Sequence, residues 1–203
     1  MLAVLAACGT SPESIELSES EVKIMQNETM SLEATVTPEE LQEEITWSSS
    51  DTDVVGINQS GEIGGMAGGT ATVTATVGED DDEISASVDV TVLPMVDYVA
   101  VDEPNLSLTL EADGSSVTHE IQWEVVPKND QTNTWELSDL EITSSNTDAI
   151  TVDGDVLTAV APGSSNVEVR AGNQFTYMEV SVSAYEAEHT LADVKAADAD
   201  AEI

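Results

Sequence analysis

Thr70-Ala71-Thr72-Val73-Thr74-Ala75-Thr76-Val77 alternates without a break, threonine at every even position and a small or branched apolar residue at every odd one. Period-two alternation is the mark of a strand with one buried and one wet face, and threonine and valine suit a pleated surface. Ile84-Ser85-Ala86-Ser87-Val88-Asp89-Val90-Thr91-Val92 repeats the pattern, and the acidic stretch Gly78 to Glu83 joins the two. The pair reads as a hairpin with a charged tip. Buried parallel strands would be continuously apolar, so the sheet is antiparallel with one solvated face. No window shows a helical period before the last twenty residues.

Working outward, the same order of segments comes round again. Ser48-Ser49-Ser50-Asp51-Thr52-Asp53 aligns with Thr143-Ser144-Ser145-Asn146-Thr147-Asp148 at an offset of 95, and Gly68-Gly69-Thr70 with Pro162-Gly163-Ser164 at 94. The slip falls where Asn58-Gln59-Ser60-Gly61 shortens to Asp153-Gly154, and turns are where deletions are tolerated. A unit of about 95 residues is too long for a solenoid repeat and suits a complete sandwich. The expected organisation is a leader and tether over 1–12, domains over 13–93 and 95–184, and an acidic, disordered tail over 185–203. Pro94 marks the junction, leaving a short linker and a semi-rigid pair. The tail is rich in Ala, Asp and Glu, with nothing apolar spaced to pack it.

The first repeat carries an ordered set of segments: Ile15-Glu16-Leu17-Ser18, Thr35-Val36-Thr37-Pro38, Ile45-Thr46-Trp47-Ser48-Ser49-Ser50-Asp51, Gly61-Glu62-Ile63 and Gly69 to Ala75. That set resembles the bacterial Ig-like group 2 domain of intimin- and invasin-type surface proteins. The resemblance implies two tandem immunoglobulin-like β-sandwiches, all-β, antiparallel and of Greek-key type. The second repeat resembles the family mainly from Ile142 to Ala171. It departs at Ile142, where the family has its tryptophan, and by an insertion around Lys128 to Leu137.

Charge excludes some partners. Against 41 Asp and Glu stand 4 Lys and Arg, a net of −37, so there is no basic patch for nucleic acid or for an anionic membrane surface. Solubility is the plain reading of such acidity. The single cysteine, Cys8, excludes an intrachain disulfide. Leu5-Ala6-Ala7-Cys8 followed by Gly-Thr-Ser-Pro resembles a bacterial lipoprotein box and tether, which makes Cys8 the expected lipid attachment site and the protein an anchored, extracytoplasmic one. A signal peptide needs a basic n-region and about 7–15 apolar residues. Seven residues precede Cys8 and none is basic, so the reading calls for a start further upstream; an inert thiol is the alternative.

Few residues invite chemistry. Ile45 and Trp47 share a strand face, Leu140 and Ile142 repeat that pair, and Trp123 continues the face of Ile121 and Val125; all read as core. Trp135 sits in the insertion, out of clean register, and is the aromatic expected to be exposed. It is the candidate platform for a sugar or partner, with local packing as the default. His119 and His189 lack sequence-local partners at ligand spacing, so no zinc or catalytic site is expected. No nucleophile elbow appears, and Gly64-Gly65 and Gly68-Gly69 are not followed by a helix, which removes a phosphate cradle. Calcium takes six to eight oxygens. Asp51 and Asp53 in one loop and Asp80, Asp81 and Asp82 in another offer oxygens, but the second set is a homogeneous run, Glu79 to Glu83, rather than the spaced alternation of a calcium loop. They are weak candidates beside the simpler reading as solvated turns, and no cofactor is expected. The expected function is a non-enzymatic structural or adhesive surface module with an unknown protein or glycan ligand. The alternative is a carbohydrate-binding accessory lipoprotein that reads a glycan with Trp135 and its strand faces.

Overall fold

The computed structural model describes residues 11–186. Cys8, His189 and nearly all of the expected tail lie outside the described residues. Eighteen strands and four short 3-10 turns make up the described chain. The first nine strands are β1 (Ser14–Leu17), β2 (Glu21–Met25), β3 (Thr29–Ser31), β4 (Ala34–Thr37) and β5 (Thr46–Ser49), then β6 (Val55–Ile57), β7 (Glu62–Gly65), β8 (Gly69–Val77) and β9 (Ile84–Leu93). They form sheets in the orders β1-β4, β2-β9-β8-β5 and β3-β7-β6.

The second nine are β10 (Val96–Val101), β11 (Asn105–Thr109), β12 (Val117–Glu120), β13 (Trp123–Pro127) and β14 (Glu141–Ser144), then β15 (Ile150–Asp153), β16 (Val156–Ala159), β17 (Gly163–Ala171) and β18 (Gln174–Ser183). Their sheets run β10-β13, β11-β18-β17-β14 and β12-β16-β15. Adding nine to each label of the first set gives the second. The chain is therefore two tandem immunoglobulin-like sandwiches, and the repeat read from the sequence is a repeat of topology.

Alternation builds the central hairpin. β8 and β9 pair antiparallel from Gly69↔Val92 to Val77↔Ile84. That register turns Ala71, Val73, Ala75 and Val77 inward to meet Val88, Val90 and Val92, all buried. Each fully buried valine is worth about 1.5–3 kcal/mol. The hydroxyls left outside pair across the strands, Thr74 Oγ1 with Ser87 Oγ at 2.9 Å, while Thr72 Oγ1 donates to Asp89 Oδ1 at 2.8 Å. β2 lies parallel to β9, with Glu21 opposite Asp89 and Met25 opposite Leu93, so the first sheet is not wholly antiparallel. β11 repeats this beside β18. Strands from opposite ends of one repeat meet there, joined by no short turn.

By their contacts the described residues divide into two compact units: 11–97 with Val125–Trp135, and Tyr98–Glu124 with 136–186. The stretch Val125–Trp135, although within the second repeat by sequence, folds with the first unit. Inside the first core, Trp47 packs under Gly61, whose backbone stands at φ +81°, where a Cβ would sit 2.6 Å from Leu32 O and 3.2 Å from the indole. Only glycine fits that turn without strain.

Candidate functional site

The tryptophan expected at the surface is inside. Trp135 is 7% exposed and its indole N–H donates to Pro94 O at 3.0 Å. Its polar neighbours are spent on backbone: Thr134 Oγ1 donates to Val92 O at 2.6 Å and Asn133 Nδ2 to Val125 O at 2.8 Å. Gln131 accepts from Gly68 N at 2.8 Å and donates to Gln26 at 3.2 Å. The side chain is out of strand register because its segment is no strand. Its indole closes on the Pro94 carbonyl just after β9, and a ligand platform there is ruled out by burial.

The aspartates named as weak calcium candidates lie in two separate loops. Asp51 Oδ1 accepts from Asp53 N at 3.0 Å, and Asp82 Oδ2 accepts from the Ser11 hydroxyl at 3.0 Å. Ser50 N reaches Thr72 O, whereas Asp80–Asp82 caps the far end of β8. Six strand residues, roughly 20 Å, separate the loops. Among the described residues no group of three or more His, Cys, Asp or Glu side chains is arranged to hold a metal ion. His119 Nε2 meets Glu103 at 3.1 Å.

A cleft of about 810 Å³ opens in the first unit between β4 and β5, floored by Ile45 and Trp47. Two glutamines line it and act as strand substitutes. Gln42 donates to Ala34 O at 2.6 Å and accepts from Val36 N at 3.2 Å. Gln59 does the same to β5, accepting from Trp47 N and donating to Trp47 O, both at 3.1 Å. The amides satisfy edge groups that would otherwise face solvent.

The second unit carries a cluster that sequence reasoning missed. On the outer face of β11-β18-β17-β14, Glu168 stands opposite Tyr177 and Arg170 opposite Phe175. The Arg170 guanidinium lies 4.6 Å from the Phe175 ring centroid, and the Phe175 and Tyr177 rings meet edge to face at 5.4 Å. Arg170 Nε donates to Glu168 Oε1 at 2.8 Å. Tyr177's hydroxyl donates to Glu168, which with Arg170 holds that carboxyl below its ordinary value of 4.5. The same bond raises the tyrosine above 10.0. Phe175 is 46% and Tyr177 51% exposed despite these contacts. Further along the same strands is a hollow of about 480 Å³ lined by Asn105, Ser107, Ser164, Asn166, Glu179 and Ser181. A signal was present in the sequence. Phe175 is the chain's single phenylalanine and Arg170 its single arginine, each two residues from a like-facing partner.

Nine strands, a buried tryptophan under a positive-φ glycine and a parallel pairing of β2 with β9 characterise the first unit. Residues 12–88 match the bacterial Ig-like domain (group 2) family. An uncharacterized protein of Clostridium acetobutylicum is 33% identical over 119 residues, 54% of this chain and 12% of that protein. An alpha-L-arabinofuranosidase of Bifidobacterium longum subsp. longum is 36% identical over 77 residues, 37% of this chain and 7% of the enzyme. The chain thus spans about a tenth or less of these relatives. Among solved structures, domains 1–6 of the surface layer protein SbsC align over 88% of this chain and 29% of that one, with 18% identity and a TM-score of 0.34. Chimeric titin Z1Z2 aligns over 88% of this chain and 100% of that one, with 10% identity and a TM-score of 0.38.

The first unit shows what the same hairpin positions carry without the cluster. Register places Thr74 and Ser87 of its outer face where Glu168 and Tyr177 stand, and Thr76 and Ser85 where Arg170 and Phe175 stand. The aromatic cluster replaces a plain row of hydroxyls.

Proposed function

We propose that this chain is a non-enzymatic cell-surface module that spaces or presents a neighbouring segment outside the cell, tethered through a lipid on Cys8. The observation that carries the reading is the strand-for-strand repetition of one sandwich topology. A protein whose two units repeat one framework and differ on their outer faces suits presentation better than turnover. The match of residues 12–88 to a bacterial Ig-like domain supports it, because an immunoglobulin-like sandwich is a framework that suits spacing and presentation. The alpha-L-arabinofuranosidase is covered by this chain over only 7% of its length, a share that fits an accessory domain. The acidic surface supports an extracytoplasmic, unattached face that repels anionic envelope components. A protein or glycan ligand is part of the proposal.

Proteinase K treatment of intact producing cells tests the location. Digestion without lysis is the expected result; protection until lysis overturns the surface reading. Metabolic labelling with a fatty acid, comparing the protein expressed from its own locus with its Cys8→Ala variant, tests the tether. Label lost with the cysteine is expected, and equal labelling of both removes Cys8 from the proposal.

A further inference from the structure

We infer that the outer face of β11-β18-β17-β14 is a docking surface for an uncharged oligosaccharide, which stacks on Tyr177 beside Phe175 and reaches into the hollow next to them. Three observations carry this beyond a spacing role. First, aromatics are few, 3% of residues, and while Tyr98 and Tyr185 are also about half exposed, Phe175 and Tyr177 are exposed side by side, with their rings in contact on one sheet face. Water contact with that area costs free energy that a stacked apolar ligand face recovers. Second, the repeated sandwich builds the same hairpin positions from threonine and serine, so the fold does not require the cluster. Third, the hollow of about 480 Å³ offers amides and hydroxyls from Asn105, Ser107, Ser164, Asn166 and Ser181, with the Glu179 carboxylate among them. Tyr177 and Glu179 are two residues apart on β18, about 7 Å, so one extended ligand spans both places.

Charge chooses the ligand class. Arg170 is committed to Glu168 and to the Phe175 ring, so it offers no spare cation to an anionic glycan, and a net charge of −37 repels one. A cationic partner finds the Phe175 ring face already covered by Arg170. What remains is a ligand with apolar C–H faces for the rings and neutral hydroxyls for the hollow. A sugar chain presents both. The rings are held in place by each other and by the Arg170–Glu168–Tyr177 chain of contacts, so little ordering is lost on binding.

Affinity electrophoresis of the full chain in native gels containing soluble arabinan, galactan, galactomannan or β-glucan tests the inference, with polygalacturonate and polylysine as charged probes. The diagnostic variant is Glu168→Thr, Arg170→Thr, Phe175→Ser and Tyr177→Ser together, which installs the hydroxyls of the first unit. It removes one charge of each sign, so mobility in a blank gel stays the same. The expected result is retardation of the unmodified chain by at least one uncharged polysaccharide, weakened about tenfold or more in the variant. Tyr98→Ser, an exposed tyrosine on another sheet, retains the retardation. Should the quadruple variant fail to melt cooperatively, Tyr177→Ser alone carries the same prediction at smaller size. No retardation by any uncharged polysaccharide, or retardation equal in wild type and variant, overturns the inference. So does loss in Tyr98→Ser, or polylysine binding that depends on the four residues while glycans do nothing, which would assign the face to a basic protein. None of these outcomes bears on whether the protein sits at the surface, which the protease experiment reads separately.

Discussion

At Gly61 the backbone stands at φ +81° beside Leu32 O and the indole of Trp47, so a methyl group meets both a forbidden dihedral and a filled space. Gly61→Ala is expected to lower stability by on the order of 2–3 kcal/mol, read as a lower urea midpoint at unchanged m-value. Trp135 sets a different kind of constraint. Trp135→Phe keeps an aromatic ring in place but leaves Pro94 O without its donor and part of the indole's volume unfilled, for an expected loss of about 2–3 kcal/mol. A free, ligand-binding tryptophan would show no such loss. Glu168 and Tyr177 make a coupled statement about pH. The carboxyl is lowered, so its contribution is complete above its ordinary value of 4.5 and fades as pH falls through the folded value. The tyrosine is raised, so its contribution is complete below 10.0 and fades as pH rises through the folded value. In Glu168→Gln the tyrosine loses its charged acceptor, and NMR titration is expected to find Tyr177 ionising at lower pH than in the unmodified protein.

Among the elements, β5 shows how an edge strand is kept from pairing with another chain. Gln59 supplies one donor and one acceptor to Trp47, much as a neighbouring strand would. Gln59→Ala is expected to speed hydrogen exchange at the Trp47 amide by about tenfold while amides in the middle of β8 hardly change. Equal protection in both proteins would deny the glutamine that role. The hairpin of β8 and β9 was legible from threonine spacing, because alternation is a local property and one wet face imposes it. The parallel β2–β9 and β11–β18 pairs were not legible. They join the ends of each repeat, and nothing local to β2 or β11 names a partner more than sixty residues away.

For the molecule as a whole, 41 acidic residues against 4 basic ones mean self-repulsion that the folded state concentrates and the unfolded chain relaxes. Screening shortens to about 10 Å at 0.1 M salt. The melting temperature is therefore expected to rise by a few degrees on adding about 0.1–0.5 M sodium chloride, and by a similar amount with millimolar calcium acting as a loosely associated counterion. A melting curve indifferent to both would show that these charges are spaced well enough not to matter.

Composition and periodicity by themselves determined that this chain is all-β, that it contains one framework twice, and that it has no basic surface. Each follows from side-chain order along a strand or from a sum over residues, which needs no knowledge of neighbours. Only the tertiary structure decided that Val125–Trp135 belongs with the first unit, that Trp135 is buried, and that Glu168, Arg170, Phe175 and Tyr177 form one patch. The physical reason is common to all three. Membership, burial and clustering depend on which strand lies beside which and in what register, and a slip of one residue in β17 against β18 would scatter those four side chains to opposite faces of the sheet.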